Sequence, residues 1–170
     1  MPTTCIALLR AVNLGGTSRV VMSELRALCA AAGLGDVRTY IASGNVVCRS
    51  ARDERGVAEA IAVPLAAHMG QSVEVHVRSA SAMRAVLDAN PFVDADPART
   101  LVFFLDDAPP PDAAEAARLR TTERIALGTR ELYVHHPDGI GRSRIVIPAI
   151  GRGTGRNVRT VAALVAMAEA

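Results

Sequence analysis

Val37-Arg38-Thr39-Tyr40-Ile41-Ala42-Ser43-Gly44-Asn45-Val46-Val47-Cys48 reads as two β-strands meeting at a tight turn. Residues 37–42 and 46–48 are rich in the β-branched and aromatic types that suit a pleated, partly buried surface. Gly44-Asn45 supplies the positive φ that a two-residue hairpin turn demands. Upstream, Thr3 to Arg10 is a near-continuous apolar run, as expected of a central strand covered on one or both faces. A polar, glycine-containing loop from Ala11 to Ser18 separates it from a helix with Ser23 as N-cap. Leu25, Leu28, Cys29 and Ala32 share one face of that helix, and Gly33 is placed to end it in a left-handed conformation.

Downstream, Asp53 to Met69 predicts a second helix with Val57, Ile61 and Leu65 on one face. Pro64 interrupts it, at a cost of about 3 kcal/mol if the helix stays continuous. Ser72 to Arg78 alternates apolar and polar like a half-buried strand. The order is then β-α-β-β-α-β, the split βαβ or ferredoxin-like arrangement. A connecting helix over Ala80–Ala89 turns Met83, Val86 and Leu87 inward and stops at Asn90-Pro91.

After a turn-rich stretch from Phe92 to Ala98 the cycle begins again. Thr100–Leu105 is a buried strand, Asp112 caps a helix to Arg120, and Arg124–Leu127 with Glu131–His135 form a hairpin around Gly128-Thr129. A true repeat requires a helix within Gly141–Ile150, which Pro148 and the run Ile145-Val146-Ile147 oppose. Gly151–Asn157 reads as a glycine- and arginine-rich loop with at most a short strand, and Val158–Glu169 is the final helix. The expected fold is α+β, two tandem ferredoxin-like (split βαβ, alpha-beta plait) modules with antiparallel sheets, over residues 1–90 and 91–170.

The composition excludes several classes. Half of the 170 residues are hydrophobic, enough for a core and against disorder. With no Trp, 3 Phe and 2 Tyr, that core must be aliphatic. All 19 basic residues are Arg, yet the net charge of +2 is too mild to announce a nucleic-acid binder. Cys5, Cys29 and Cys48 have no metal-ligand or disulfide spacing, so no metal and no cofactor is expected, and free thiols fit a reducing compartment. No apolar stretch approaches the roughly 20 residues of a membrane span, and the first apolar run is too short for a signal peptide. The expectation is a soluble, cytoplasmic protein with no membrane partner.

Three stretches together resemble a bacterial family catalogued as domain of unknown function 1697. They are Ala7-Leu8-Leu9-Arg10-Ala11-Val12-Asn13-Leu14-Gly15-Gly16, the hairpin from Val37 to Val47, and Gly153-Thr154-Gly155-Arg156-Asn157-Val158-Arg159-Thr160-Val161. Asn90-Pro91-Phe92 fits the family's mid-chain pattern as well. The resemblance implies a pair of ferredoxin-like modules and no activity. Ala11, Cys48 and Val158 stand where the family usually or often has Gly, Phe and Trp.

Arg142, Arg144, Arg152, Arg156 and Arg159 are interleaved with Gly141, Gly151, Gly153 and Gly155. Glycines let backbone N–H groups converge on an anion, and guanidinium forks suit phosphate or carboxylate. The pattern is no Walker A motif, and a solvated loop in an Arg-rich protein is the plainer explanation of it. Arg10, Asn13, Ser43 and Asn45 fall at strand ends or loops. Asn13 and Asn45 also suit hydrogen bonds within their own turns.

His135-His136 with Asp138 suggests a metal ligand set or a general base, but neighbours on a strand point to opposite faces. Structural or surface roles are the expectation for His68, His76, His135 and His136. No paired-carboxylate motif, nucleophile elbow or RNP pattern occurs.

The leading expectation is a binder of an anionic, phosphate-bearing ligand or nucleic acid in a cleft between the modules. Arg156, Asn157 and Thr160 form one side, and Arg10, Asn13, Ser43 and Asn45 the other. An enzyme acting on a phosphorylated or carboxylated small molecule, with Arg156 as anion clamp, is the second expectation. A protein-interaction module without ligand is the third.

Overall fold

The computed structural model describes residues 1–12 and 19–170, so Asn13 lies outside the described residues. The chain divides into two compact units, Met1–Arg84 with Leu164–Ala170, and Ala85–Ala163. Their elements are β1 (Thr3–Leu9), α1 (Met22–Ala31), β2 (Gly35–Tyr40), β3 (Asn45–Ser50), α2 (Glu54–Met69), β4 (Val75–Ser79) and α3 (Ala80–Asp88). These are followed by β5 (Thr100–Phe104), β6 (Arg124–Leu127), β7 (Glu131–His135), β8 (Thr154–Asn157) and α4 (Val158–Glu169). The division falls within α3 and within α4.

In the first unit the strands run in the order β2-β3-β1-β4, every neighbour antiparallel, which is the sheet of a ferredoxin-like module. Cys5, Ala7 and Leu9 alternate toward a cluster completed by Leu25, Cys29, Val46, Cys48, Val57, Ile61, Leu65 and Val77. Cys5 and Cys48 face each other in register as free, buried thiols. Burial pushes the Cys48 thiol up to about 12, so it packs as a small hydrophobe. The other side of the sheet is also closed, because Ile6, Leu8, Asn45, Val47, His76 and Arg78 are buried. The fourth strand is therefore Val75–Ser79 rather than a half-buried 72–78, with its polar side chains inside.

Local chemistry explains the helices. Asp53 accepts a hydrogen bond from Gly56 N–H at 2.7 Å and opens α2, which runs unbroken through Pro64 because Val57, Ile61 and Leu65 anchor it on the sheet. Ser23 is not the cap of α1: Val21 holds that position, without a side-chain bond. Gly33 does take φ +90° just beyond α1. The hairpin turn is longer than a two-residue one. Residues 41–44 connect the strands, with positive φ at Ile41 and Gly44, and Asn45 is the first residue of β3. A Cβ on Gly44 would meet Val12 Cγ2 at 2.5 Å, so space as well as conformation requires glycine there.

Late residues return to the first unit, where Arg38 donates to Met167 O at 2.9 Å and Arg84 pairs with Glu169.

The second unit repeats the order as β6-β7-β5-β8, again antiparallel. The helix expected after Asp112 does not form, and neither does the one that a true repeat requires within 141–150, in line with Pro148 and Ile145-Val146-Ile147. Residues 111–116 are turns, and Arg118 pairs through its backbone with Val146. The stretch between Pro111 and Arg118 is too short for a stable helix and has little beyond alanine to bury. In 141–150 only single 3-10 turns occur, at Ile140–Arg142 and Pro148–Ile150. Leu105, Ala113, Leu132, Val134 and Ile147 form the core on this face.

The two units share one further detail. Ser79 Oγ accepts from Ala82 N–H, and Asn157 Oδ1 accepts from Thr160 N–H, so β4 and β8 each run without a loop into a capped helix. The residue before each cap is a buried arginine, Arg78 or Arg156, facing Ile6 or Val102 on the central strand.

Candidate functional site

The polar groups marked in the sequence gather in two places. In the first unit, Leu9 N–H donates to Gly44 O and Leu8 faces Asn45, which brings exposed Arg10 to the same sheet end as Ser43 and Asn45. Asn45 is fully buried and its Nδ2 donates to Tyr40 O at 2.9 Å and Ser43 Oγ at 3.0 Å, closing the hairpin turn. In the second unit, Arg156 is buried, and its guanidinium donates to Thr154 Oγ1 at 2.7 Å and Gly155 O at 2.9 Å, within its own strand. Desolvation lowers it to about 10. Asn157 and Thr160 meet as the cap of α4.

The glycines among the arginines have packing reasons. A Cβ on Gly155 would lie 2.8 Å from Phe103 Cε1, and one on Gly153 2.8 Å from Phe104 O. Phe103 and Gly155 are register partners, as Ala7 and Val77 are in the first sheet. A large side chain on the central strand thus stands opposite no side chain on its neighbour.

A different part of the second unit forms a cavity of about 280 Å³, lined by Thr121, Thr122, Glu123, His136, Asp138, Gly139, Arg142 and Ser143. Residue 123 leads into β6, residues 136–139 leave the end of β7, and Arg142 and Ser143 stand at the end of the 3-10 turn Ile140–Arg142. The sheet joins segments that are far apart in sequence. Gly139, at φ +93°, donates to His136 O, and Arg142 N–H donates to Gly139 O, which curls the chain around the cavity wall.

Glu123 is buried and accepts from Ser143 Oγ at 2.6 Å and Thr121 N–H at 2.7 Å. These bonds, Ser143 first, hold its carboxyl down at about 2, so it is a fixed anion. Thr122 Oγ1 donates to Asp138 Oδ2 at 2.7 Å. His136 is 4 % exposed, and among the described residues neither ring nitrogen has a hydrogen-bond partner. Burial lowers its pKa against the opposing pull of Glu123, which leaves a neutral imidazole with one donor and one acceptor unused. Among the described residues no group of three His, Cys, Asp or Glu is arranged to hold a metal ion.

Of the five clustered arginines, Arg142 lines this cavity. The His136 and Asp138 pattern was visible in the sequence. Glu123 was not, because its partner Ser143 lies 20 residues further on and only the fold brings them together.

Fold and comparison agree on the class: an α+β chain with two four-stranded antiparallel sheets of one strand order. The chain belongs to the family described as protein of unknown function (DUF1697), whose model matches residues 2–133. It is similar in fold to the conserved bacterial protein SP0830 from Streptococcus pneumoniae, with a TM-score of 0.79 and 24 % identity over 99 % of each chain. No curated protein matches it. Among the described residues, no helix is long and apolar enough to cross a membrane.

Proposed function

We propose that this protein binds a small polar ligand, and that the ligand sits in the cavity of Glu123, His136, Asp138 and Arg142. The observation that carries the reading is the His136 ring, buried with both nitrogens unpartnered among the described residues. Each unsatisfied buried polar group costs about 1–3 kcal/mol, and His136 lines a polar cavity while both of its ring nitrogens are closed off from the cavity surface in the free protein. A ligand that draws one ring nitrogen into a hydrogen bond removes part of that cost. Arg142 adds a cationic contact for a carboxylate or phosphate, which keeps the anionic ligand expected from the sequence within range. Binding without catalysis is the simpler reading, since Glu123 is fully committed to Ser143 and Thr121 and is too weak a base for proton transfer at neutral pH.

The test is thermal stability against a panel of phosphorylated, carboxylated and hydroxylated metabolites and a short single-stranded RNA, at low and high salt. A salt-resistant shift with a small molecule, lost in His136→Leu, is the expected result. A shift with phosphorylated compounds or RNA that survives His136→Leu but disappears in Arg10→Ala would move the site to the sheet end of the first unit, at Arg10 and Ser43. RNA binding that fades at high salt would mark diffuse phosphate contact.

A further inference from the structure

The charges around the cavity are opposite, and among the described residues they form no ion pair with one another. Asp138 and Arg142 are both exposed and both line it, yet among the described residues Arg142 makes no ion pair at all. Each is held from its own side. Thr122 Oγ1 fixes one Asp138 oxygen, and the Arg142 backbone is tied to Gly139 O. Behind them lies the buried Glu123 anion, its oxygens already occupied by Ser143 and Thr121.

A ligand carrying only negative charge would satisfy Arg142 but sit beside two carboxylates. A purely cationic ligand would satisfy Asp138 and be repelled by Arg142. A molecule that carries both charges a few bonds apart meets both walls at once. At about 280 Å³ the cavity falls just below the range of about 300–1,000 Å³ usual for drug-sized ligands, which selects a small metabolite.

Resting on the reading that this cavity binds a ligand, we infer that the ligand is a free amino acid. Its ammonium group lies on the Asp138 carboxylate and its carboxylate on the Arg142 guanidinium. The side chain of the ligand lies beside His136, which lines the same cavity.

The experiment is calorimetric titration of the full chain with the twenty common amino acids, their decarboxylated amines and their deaminated acids, alongside the metabolite panel. NMR of the His136 ring provides a second readout. The expected result is binding of at least one amino acid, with its amine and its deaminated acid each at least tenfold weaker. Asp138→Asn and Arg142→Gln, both at exposed positions, should each weaken that amino acid at least tenfold while leaving the melting temperature of the free protein near its original value. Binding of amines alone or acids alone would overturn the amino acid and leave the cavity as a cation or anion site. Binding of other panel members with a perturbed His136 ring, and of no amino acid, would do the same. No binding of any compound and an unperturbed His136 ring would overturn both the amino acid and the cavity.

Discussion

The two modules share a strand order and differ in what covers the sheet. In the first, α1 and α2 lie on one face and enclose an apolar cluster reaching from Cys5 to Val77. In the second, the corresponding face is closed by turns that contribute Ala113 and Ile147. A helix satisfies its own backbone groups, whereas a turn leaves donors for side chains to satisfy. In the second module Glu123 does this for the Thr121 N–H and Ser143 Oγ for the Ile145 N–H, and the polar cavity opens beside them. The order β-hairpin, central strand, outer strand therefore survives without the helices. What replaces them is a site with charge in it.

If helices carry more of the stability than turns, removing side chains from the two covers should show it. Leu65→Ala, under α2 and fully buried, is expected to cost about 3 kcal/mol in chemical unfolding. Ile147→Ala, on the turn cover, should cost about 2 kcal/mol, and equal costs would erase the distinction. Gly155→Ala comes next at about 2 kcal/mol, since its Cβ would press on the Phe103 ring. Adding Phe103→Leu should recover much of that loss. Additive behaviour in the double-mutant cycle would mean the pair is not a size exchange matching Ala7 and Val77.

Glu123→Gln sharpens the contrast through pH, and near neutrality it should cost about 1.5 kcal/mol in lost charged hydrogen bonds. The folded pKa of Glu123 lies below its ordinary value, so its contribution is complete above about pH 4.5 and is lost as the pH falls toward about 2. The wild-type and variant stability curves should converge across that window, and parallel curves would remove Glu123 from the account. Asp53→Ala has the smallest expected effect, about 1 kcal/mol, seen as faster amide exchange in the first turn of α2.

Most of the strand framework could be read from local pattern. β1, the two hairpins and α2 each announce themselves within about ten residues through period and turn chemistry. Pro148 and Ile145-Val146-Ile147 already argue against a helix in 141–150, but the missing helix after Asp112 could not be read, because that Ala-rich run has helix propensity but no apolar stripe to dock. Tertiary pairing of Arg118 with Val146 then takes its end. The glycines at 153 and 155 looked like a ligand cradle, and Phe103, the residue that requires Gly155, stands on another strand. In the site, the sequence exposed His136 and Asp138 as neighbours. That the ring of His136 would be left without partners depends on burial, which no short motif encodes.

The return of residues 164–170 to the first unit has a consequence for synthesis. Arg38 and Met167, which share a hydrogen bond, are separated by 129 residues of chain. A ribosome releases the first sheet and its two helices early, but their final contacts arrive only after the whole second sheet has been made. Nascent chains arrested before α4 should hold a first module that is assembled yet not closed, open to proteases until the last turns of that helix emerge.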